Sequence, residues 1–127
     1  MSEAPPEGLC VQFDAESIAA YGGTGVGIHS DPDAAKDAGF DALVSWGTLT
    51  IMPFWELLDR AESLRGLAGV RLNVQLRRPV LAGDRVRYSM RELQDEHGQP
   101  AVELEAATDR LGIVATAVAS ALAEGRA

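Results

Sequence analysis

Residues 46–64 read WGTLTIMPFWELLDRAESL and residues 70–77 read VRLNVQLR. In the first stretch Ile51, Phe54, Trp55, Leu58 and Ala61 recur at helical spacing. Leu49, Met52 and Leu57 make the other faces apolar as well, so the spacing predicts a long, largely buried helix from Trp46-Gly47-Thr48 to about Leu64. Pro53 is read as lying in its first turns, where proline is tolerated. In the second stretch Val70, Leu72, Val74 and Leu76 alternate with Arg71, Asn73, Gln75 and Arg77, the period-two pattern of a strand with one buried face.

Outward from there, the second half continues in strands. Pro79 ends the first and Ala82-Gly83-Asp84 turns the chain; Val86, Tyr88 and Met90 then alternate with Arg85, Arg87 and Ser89. Glu96-His97-Gly98-Gln99 reads as a hairpin turn, Ala101 to Asp109 as a third strand, and Ile113 to Ala123 as a fourth after Leu111-Gly112. The last run is alanine-rich, but Val114, Thr116 and Val118 favour strand over helix. Before the long helix, Leu9 to Phe13 reads as a short strand and Asp14 as the cap of a helix over Ala15 to Tyr21. The glycine-rich stretch at 22–27 is a loop, and Asp31-Pro32 opens a short helix running to about Ala38 and closed by Gly39. One long helix followed by an antiparallel meander, with the helix as the only adequate cover for the sheet, gives an α+β class and the hot-dog arrangement, a curved sheet wrapped around one central helix.

The 127 residues suit a single domain over 1–127, with residues 1–8 read as a flexible N-terminal tail. The net charge of −8 argues against a broad nucleic-acid surface and against an anionic membrane surface. The longest apolar run, Val114 to Ala123, is too short to span a bilayer, and the acidic, proline-containing start is not a signal peptide, so the expected location is cytoplasmic. One cysteine, Cys10, excludes an internal disulfide, and no His/Asp/Glu grouping has metal-ligand spacing; no cofactor is expected. Ten arginines against one lysine, with 20 alanines, suggest a GC-rich bacterial genome.

Charge is unevenly placed. Residues 1–63 hold 11 acids and 2 bases, whereas residues 64–127 hold 8 acids and 9 bases. Arg71, Arg77, Arg78, Arg85, Arg87 and Arg91 crowd one stretch, which reads either as a solvated strand face or as a landing strip for a phosphorylated ligand.

The segment Gly27-Ile28-His29-Ser30-Asp31-Pro32, the following helix ending Ala35-Lys36-Asp37-Ala38-Gly39-Phe40, and Val44-Ser45-Trp46-Gly47 together resemble the MaoC-like (R)-specific hydratase and dehydratase family. So does Pro79-Val80-Leu81-Ala82-Gly83-Asp84, which is similar to that family's Pro-Val-x-x-Gly-Asp turn. The resemblance covers roughly residues 9–123 with its spacing kept. It implies the hot-dog fold and the addition or removal of water at acyl thioesters carried on coenzyme A or an acyl carrier protein. It also implies an active site at a two-fold interface, hence a homodimer or a heterodimer with a homologous subunit.

Residue by residue, His29 matches the family's catalytic histidine and Gly47 the glycine whose amide binds the thioester oxygen. The family's catalytic aspartate, however, falls on Thr24, its asparagine on Val26 and its proline on Gly27, and the usual Ala-His-Gly is Ser45-Trp46-Gly47. A threonine hydroxyl positions a water or a hydroxyl but is not a general acid or base at neutral pH. Asp31 is a candidate replacement, with helix capping as its structural role; Asp14 is another. Tyr21, Val26, Trp46, Thr48 and Arg78 are candidate substrate contacts. Tyr21 is otherwise a core aromatic, and His97 a solvated turn residue. The glycine loop lacks the residues of a nucleotide fingerprint.

The resulting expectation is a hydratase or dehydratase with a non-standard site, suited to a specialised substrate such as one of secondary metabolism: His29 the base, the Gly47 and Thr48 amides the oxyanion donors. Alternatives are a histidine-only isomerase or cyclase, a thioesterase (for which Glu56 is poorly placed), and a non-catalytic subunit whose partner brings the missing aspartate.

Overall fold

The computed structural model describes residues 7–21, 27–67 and 69–122. Five strands, β1 (Glu7–Gln12), β2 (Val70–Leu76), β3 (Arg85–Gln94), β4 (Pro100–Thr108) and β5 (Gly112–Ala121), form one sheet in the order β1-β3-β4-β5-β2. Every pairing is antiparallel. Three helices precede β2: α1 (Ala15–Tyr21), α2 (Pro32–Asp37) and α3 (Gly47–Arg60). The elements answer to the hydropathy patterns, and the architecture is the expected α+β hot-dog fold.

The strands β3, β4 and β5 do form a meander, but β2 does not join it next to β3. It crosses to the far edge and pairs β5, Asn73 opposite Val118. The reason is competition for an edge: β1 already occupies the free side of β3, with Cys10 opposite Arg87. Because β1 begins at Glu7, residues 7 and 8 belong to the sheet rather than to the expected tail; residues 1–6 lie outside the described part.

This strand order also splits the arginine run. Arg71 and Arg77 accompany β2 at one edge, while Arg85, Arg87 and Arg91 sit on β3, with β5 and β4 between them. Arg87 is paired with Asp109 at 2.6 Å. The six arginines therefore make no continuous strip.

The core lies between α3 and the inner face of the sheet. Val86, Tyr88 and Met90 of β3 meet Val102, Leu104 and Ala106 of β4 and Ala115, Ala117 and Ala119 of β5. Phe54 and Leu57 of α3 are fully buried against them, and Phe54 stands edge-on to Tyr88, ring centroids 5.7 Å apart at 85°. Each such side chain contributes about 1.5–3 kcal/mol through burial.

Three expectations about the long helix are corrected. It is not largely buried: Thr50, Phe54 and Leu57 form its covered stripe, while Met52 and Trp55 are 50% and 51% exposed. A single sheet can cover only one face of a helix. The helix also stops at Arg60; Ala61 turns extended and a 3₁₀ turn follows over Glu62–Leu64, where the Ser63 amide donates to the Glu92 carboxylate of β3 at 2.8 Å. Pro53 is in the helix interior rather than in its first turns, so the amide that would bond the Leu49 carbonyl is missing. Among the described residues no helix is long and apolar enough to cross a membrane, and no group of three or more His, Cys, Asp or Glu could hold a metal ion.

Candidate active site

The site grows from two short loops that meet in front of α3. In the first, Gly27 has φ +134° and its carbonyl accepts the amides of Ser30 and Asp31 at 3.1 and 2.8 Å. That tight turn presents His29. Proline, the residue the family motif has here, is locked near φ −65° and would not fit this backbone. The turn hands over directly to α2, whose cap is Asp31: its Oδ1 accepts the Asp33 amide at 3.0 Å, and Pro32 fills the first position.

The second loop runs from Leu43 to Trp46. It lies as a short strand on the turn at Pro79–Asp84, with the Ser45 amide donating to the Val80 carbonyl (2.7 Å), the Ala82 amide to the Leu43 carbonyl (2.8 Å), and Val44 bridging Leu81. On its other side the Val44 amide donates to the Ile28 carbonyl at 2.9 Å. The Val44 carbonyl lies 2.7 Å from His29 Nδ1. A carbonyl only accepts, so Nδ1 carries the proton and the lone pair of the neutral imidazole is on Nε2. The ring is also stacked on Trp46, centroids 4.0 Å apart at 19°. The Trp46 indole N–H is tied in turn to the Ile18 carbonyl of α1 at 3.2 Å, and the Tyr21 ring lies tilted to the indole, centroids 6.4 Å apart.

Gly47 opens α3 immediately after this tryptophan. Trp46 occupies the cap position without a capping side chain, so the first amides of a 14-residue helix have no side-chain acceptor there. Gly47 lines a cavity of about 310 Å³ together with Ser45, Thr50, Leu76, Arg77, Arg78, Pro79 and Val80. The Thr50 hydroxyl reaches back to the Ser45 hydroxyl and to the Trp46 carbonyl, both at 3.0 Å, and so braces the first turn. A Cβ on residue 47 would lie 2.7 Å from Leu76 Cδ1. The helix dipole and two arginines make this cavity locally positive on an acidic protein.

The turn beneath the second loop is held by charge. Asp84 receives Arg110 from the β4–β5 hairpin at 3.1 and 2.7 Å, one bond to each carboxylate oxygen, and the Leu81 amide at 2.9 Å. Burial alone would raise the Asp84 carboxyl, but the Arg110 and Leu81 bonds outweigh it and hold it below its ordinary value. Burial pushes the Tyr88 hydroxyl up, and it donates to the Thr50 carbonyl at 2.6 Å.

Among the residues singled out from the sequence, His29 and Trp46 thus belong to the two connected loops, and Gly47 and Arg78 line the adjoining cavity. Thr48 is exposed and does not line the cavity, and Tyr21, 42% exposed, reaches the site only through Trp46. Thr24 and Val26 lie outside the described residues. Asp31 is engaged in capping α2, Asp14 caps α1 through the Ser17 amide at 2.7 Å, and Glu56 pairs with Arg60; no described bond joins any of these carboxylates to His29. His97 sits exposed in the hairpin turn. Ser45, Thr50 and Leu76 escaped notice as site residues, and Arg77 was marked only as part of the arginine run. The strand crossover that carries Leu76 to the mouth of α3 leaves no local mark in the sequence.

No family model matches the sequence, and no curated protein matches it. Solved structures do resemble it. The (R)-hydratase from A. caviae involved in PHA biosynthesis is 21% identical with a TM-score of 0.69, covering 95% of this chain and 98% of that one. The C-terminally truncated HadBC (3R-hydroxyacyl-ACP dehydratase) complex from Mycobacterium tuberculosis is 21% identical, TM-score 0.66, with 96% and 98% covered. The ChsH1-ChsH2 complex from the same organism is 18% identical, TM-score 0.71, with 94% and 96% covered. Matched end to end at this level of identity, the chain has the hot-dog fold that these structures share.

Proposed function

We propose that this protein is a MaoC-like hydratase or dehydratase acting on acyl thioesters, with His29 as its base and the Gly47 and Thr48 amides as its oxyanion donors. The observation that carries this reading is the convergence on residues 44–47. The Val44 carbonyl sets the His29 tautomer, Trp46 holds the ring, and the uncapped start of α3 follows at once. In the dehydrating direction, Nε2 of His29 removes the α-proton of a β-hydroxyacyl thioester. The enolate oxygen is held by helix-terminal amides, an interaction worth about 3–4 kcal/mol in comparable sites. The imidazolium then returns that proton to the departing hydroxyl, releasing water, so a single histidine serves both steps. Trp46, stacked on His29, and Arg78, lining the cavity, are the substrate contacts in this reading, with Thr24, Val26 and Tyr21 as further candidates; Asp31 keeps its capping role, and none of them need transfer a proton.

The test uses wild type and His29→Ala with enoyl and β-hydroxyacyl thioesters in deuterated buffer, followed by mass spectrometry. Gain or loss of water that vanishes in the variant supports the reading. Deuterium uptake without water transfer would instead mark an isomerase, and free acid a thioesterase.

A second reading is favoured by two observations: no described carboxylate contacts His29, and two of the similar structures are complexes. In it, the chain is a subunit whose partner supplies the acid. Either way the protomer pairs with another hot-dog subunit. The open edge of β2 and the exposed Met52, Trp55 and Leu76 support pairing. A monomer by light scattering at micromolar concentration argues against both readings.

A further inference from the structure

Arg110 lies on the hairpin between β4 and β5, remote in sequence from every residue assigned above. Its fork grips both oxygens of Asp84, and its terminal nitrogen also reaches the Pro79 carbonyl at 3.4 Å. Asp84 in turn accepts the Leu81 amide, while its own amide donates to the Leu81 carbonyl at 3.0 Å. The turn Pro79–Asp84 is thereby closed from both ends. Its outer edge is the template for residues 43–45. Val44 therefore has its direction set by the turn, and the Val44 carbonyl is what fixes the His29 proton on Nδ1. The side chain of Asp84 is only 11% exposed, so water is a poor substitute for the guanidinium.

We propose that Arg110 is a positioning residue: through Asp84 and the turn it aims the Val44 carbonyl, and so sets which imidazole nitrogen of His29 is free. The proposal rests on the reading of His29 as the base, but its geometric content stands apart from turnover. A bidentate guanidinium–carboxylate pair fixes direction as well as distance, which a lysine cannot reproduce. Arg110 touches no substrate in this scheme. Its loss acts on kcat, because a bound substrate then meets a misdirected base.

The experiment is imidazole nitrogen NMR of the full chain, with His97→Gln assigning the two histidines, on wild type, Arg110→Met, Arg110→Lys and Asp84→Asn. Wild type should show His29 protonated on Nδ1 when neutral. Arg110→Met and Asp84→Asn should move it to a mixture of tautomers, Arg110→Lys by less. On a thioester that wild type turns over, kcat should fall about tenfold to a hundredfold in Arg110→Met, with KM nearly unchanged. If Arg110→Met does not unfold cooperatively, Arg110→Lys and Asp84→Asn carry the test. A His29 signal unchanged in folded variants overturns the proposal. A tautomer shift in a protein that turns over no thioester leaves the clamp standing and sinks the catalytic reading instead.

Discussion

The imidazole of His29 lies face to face on the indole of Trp46, centroids 4.0 Å apart and planes 19° from parallel. That indole is itself anchored to the Ile18 carbonyl. The stack joins the candidate base to the cap residue of the central helix, so the imidazole and the start of α3 are connected through one side chain. Aromatic pairs contribute about 0.5–1.5 kcal/mol beyond burial. Trp46→Leu should accordingly lower kcat/KM by up to about tenfold, and Trp46→Phe, which keeps a ring but loses the indole N–H, by less. Steady-state kinetics on the thioester found by mass spectrometry would settle the order. Equal rates for wild type and the leucine variant would show that the stack does nothing for the base.

Gly47→Ala separates substrate approach from simple crowding. The new Cβ would meet the end of Leu76, which is 54% exposed and can swing away, so stability should change by less than about 1 kcal/mol. Activity should fall much further, because a methyl group then stands in front of the first amides of α3. Adding Leu76→Ala relieves the crowding. Recovery of activity in the double variant would mean that Leu76, not the amides, was the obstacle.

Tyr88→Phe should destabilise the fold by about 1–2 kcal/mol, read from urea unfolding midpoints at constant m-value. The hydroxyl it removes is buried and bonded to the Thr50 carbonyl at the start of the central helix. A variant as stable as wild type would mean the helix carbonyl is satisfied without it.

The clamp on the turn predicts a pH effect of defined sign. The Asp84 carboxyl is held below its ordinary value of 3.8 in the folded protein, so on acidification the unfolded chain takes up the proton first. The stabilisation is complete above that ordinary value and is lost as pH falls through the folded one. Asp84→Asn should lower stability at neutral pH and flatten the acid limb relative to wild type, measured by denaturant unfolding between pH 2 and 7. Parallel acid limbs in the two proteins would show that Asp84 carries no such linkage; Asp14 and Asp95, held low by hydrogen bonds from backbone amides, and Glu92, held low by the Ser63 side chain and amide, are common to both proteins.

Much of the architecture was legible in the chain because its determinants are local. Period-two alternation in 70–76 and 85–90 is repeated in the structure as strands, the capping aspartates Asp14 and Asp31 sit where their following amides need an acceptor, and Gly83, Gly98 and Gly112 adopt the positive φ their turns demand. The fold class could be read from such patterns, whereas the pairing of a histidine loop with a glycine-headed helix is what the family resemblance implies. The strand order could not: β2 beside β5 follows from which sheet edge is free once β1 has docked, a contest among segments far apart in sequence. Nor could the exposure of Met52 and Trp55, since an apolar helix does not announce how many of its faces one sheet will cover. The tautomer of His29 was likewise decided only by tertiary structure, because the Val44 carbonyl that sets it belongs to a loop lying on a turn that Arg110 holds from the β4–β5 hairpin.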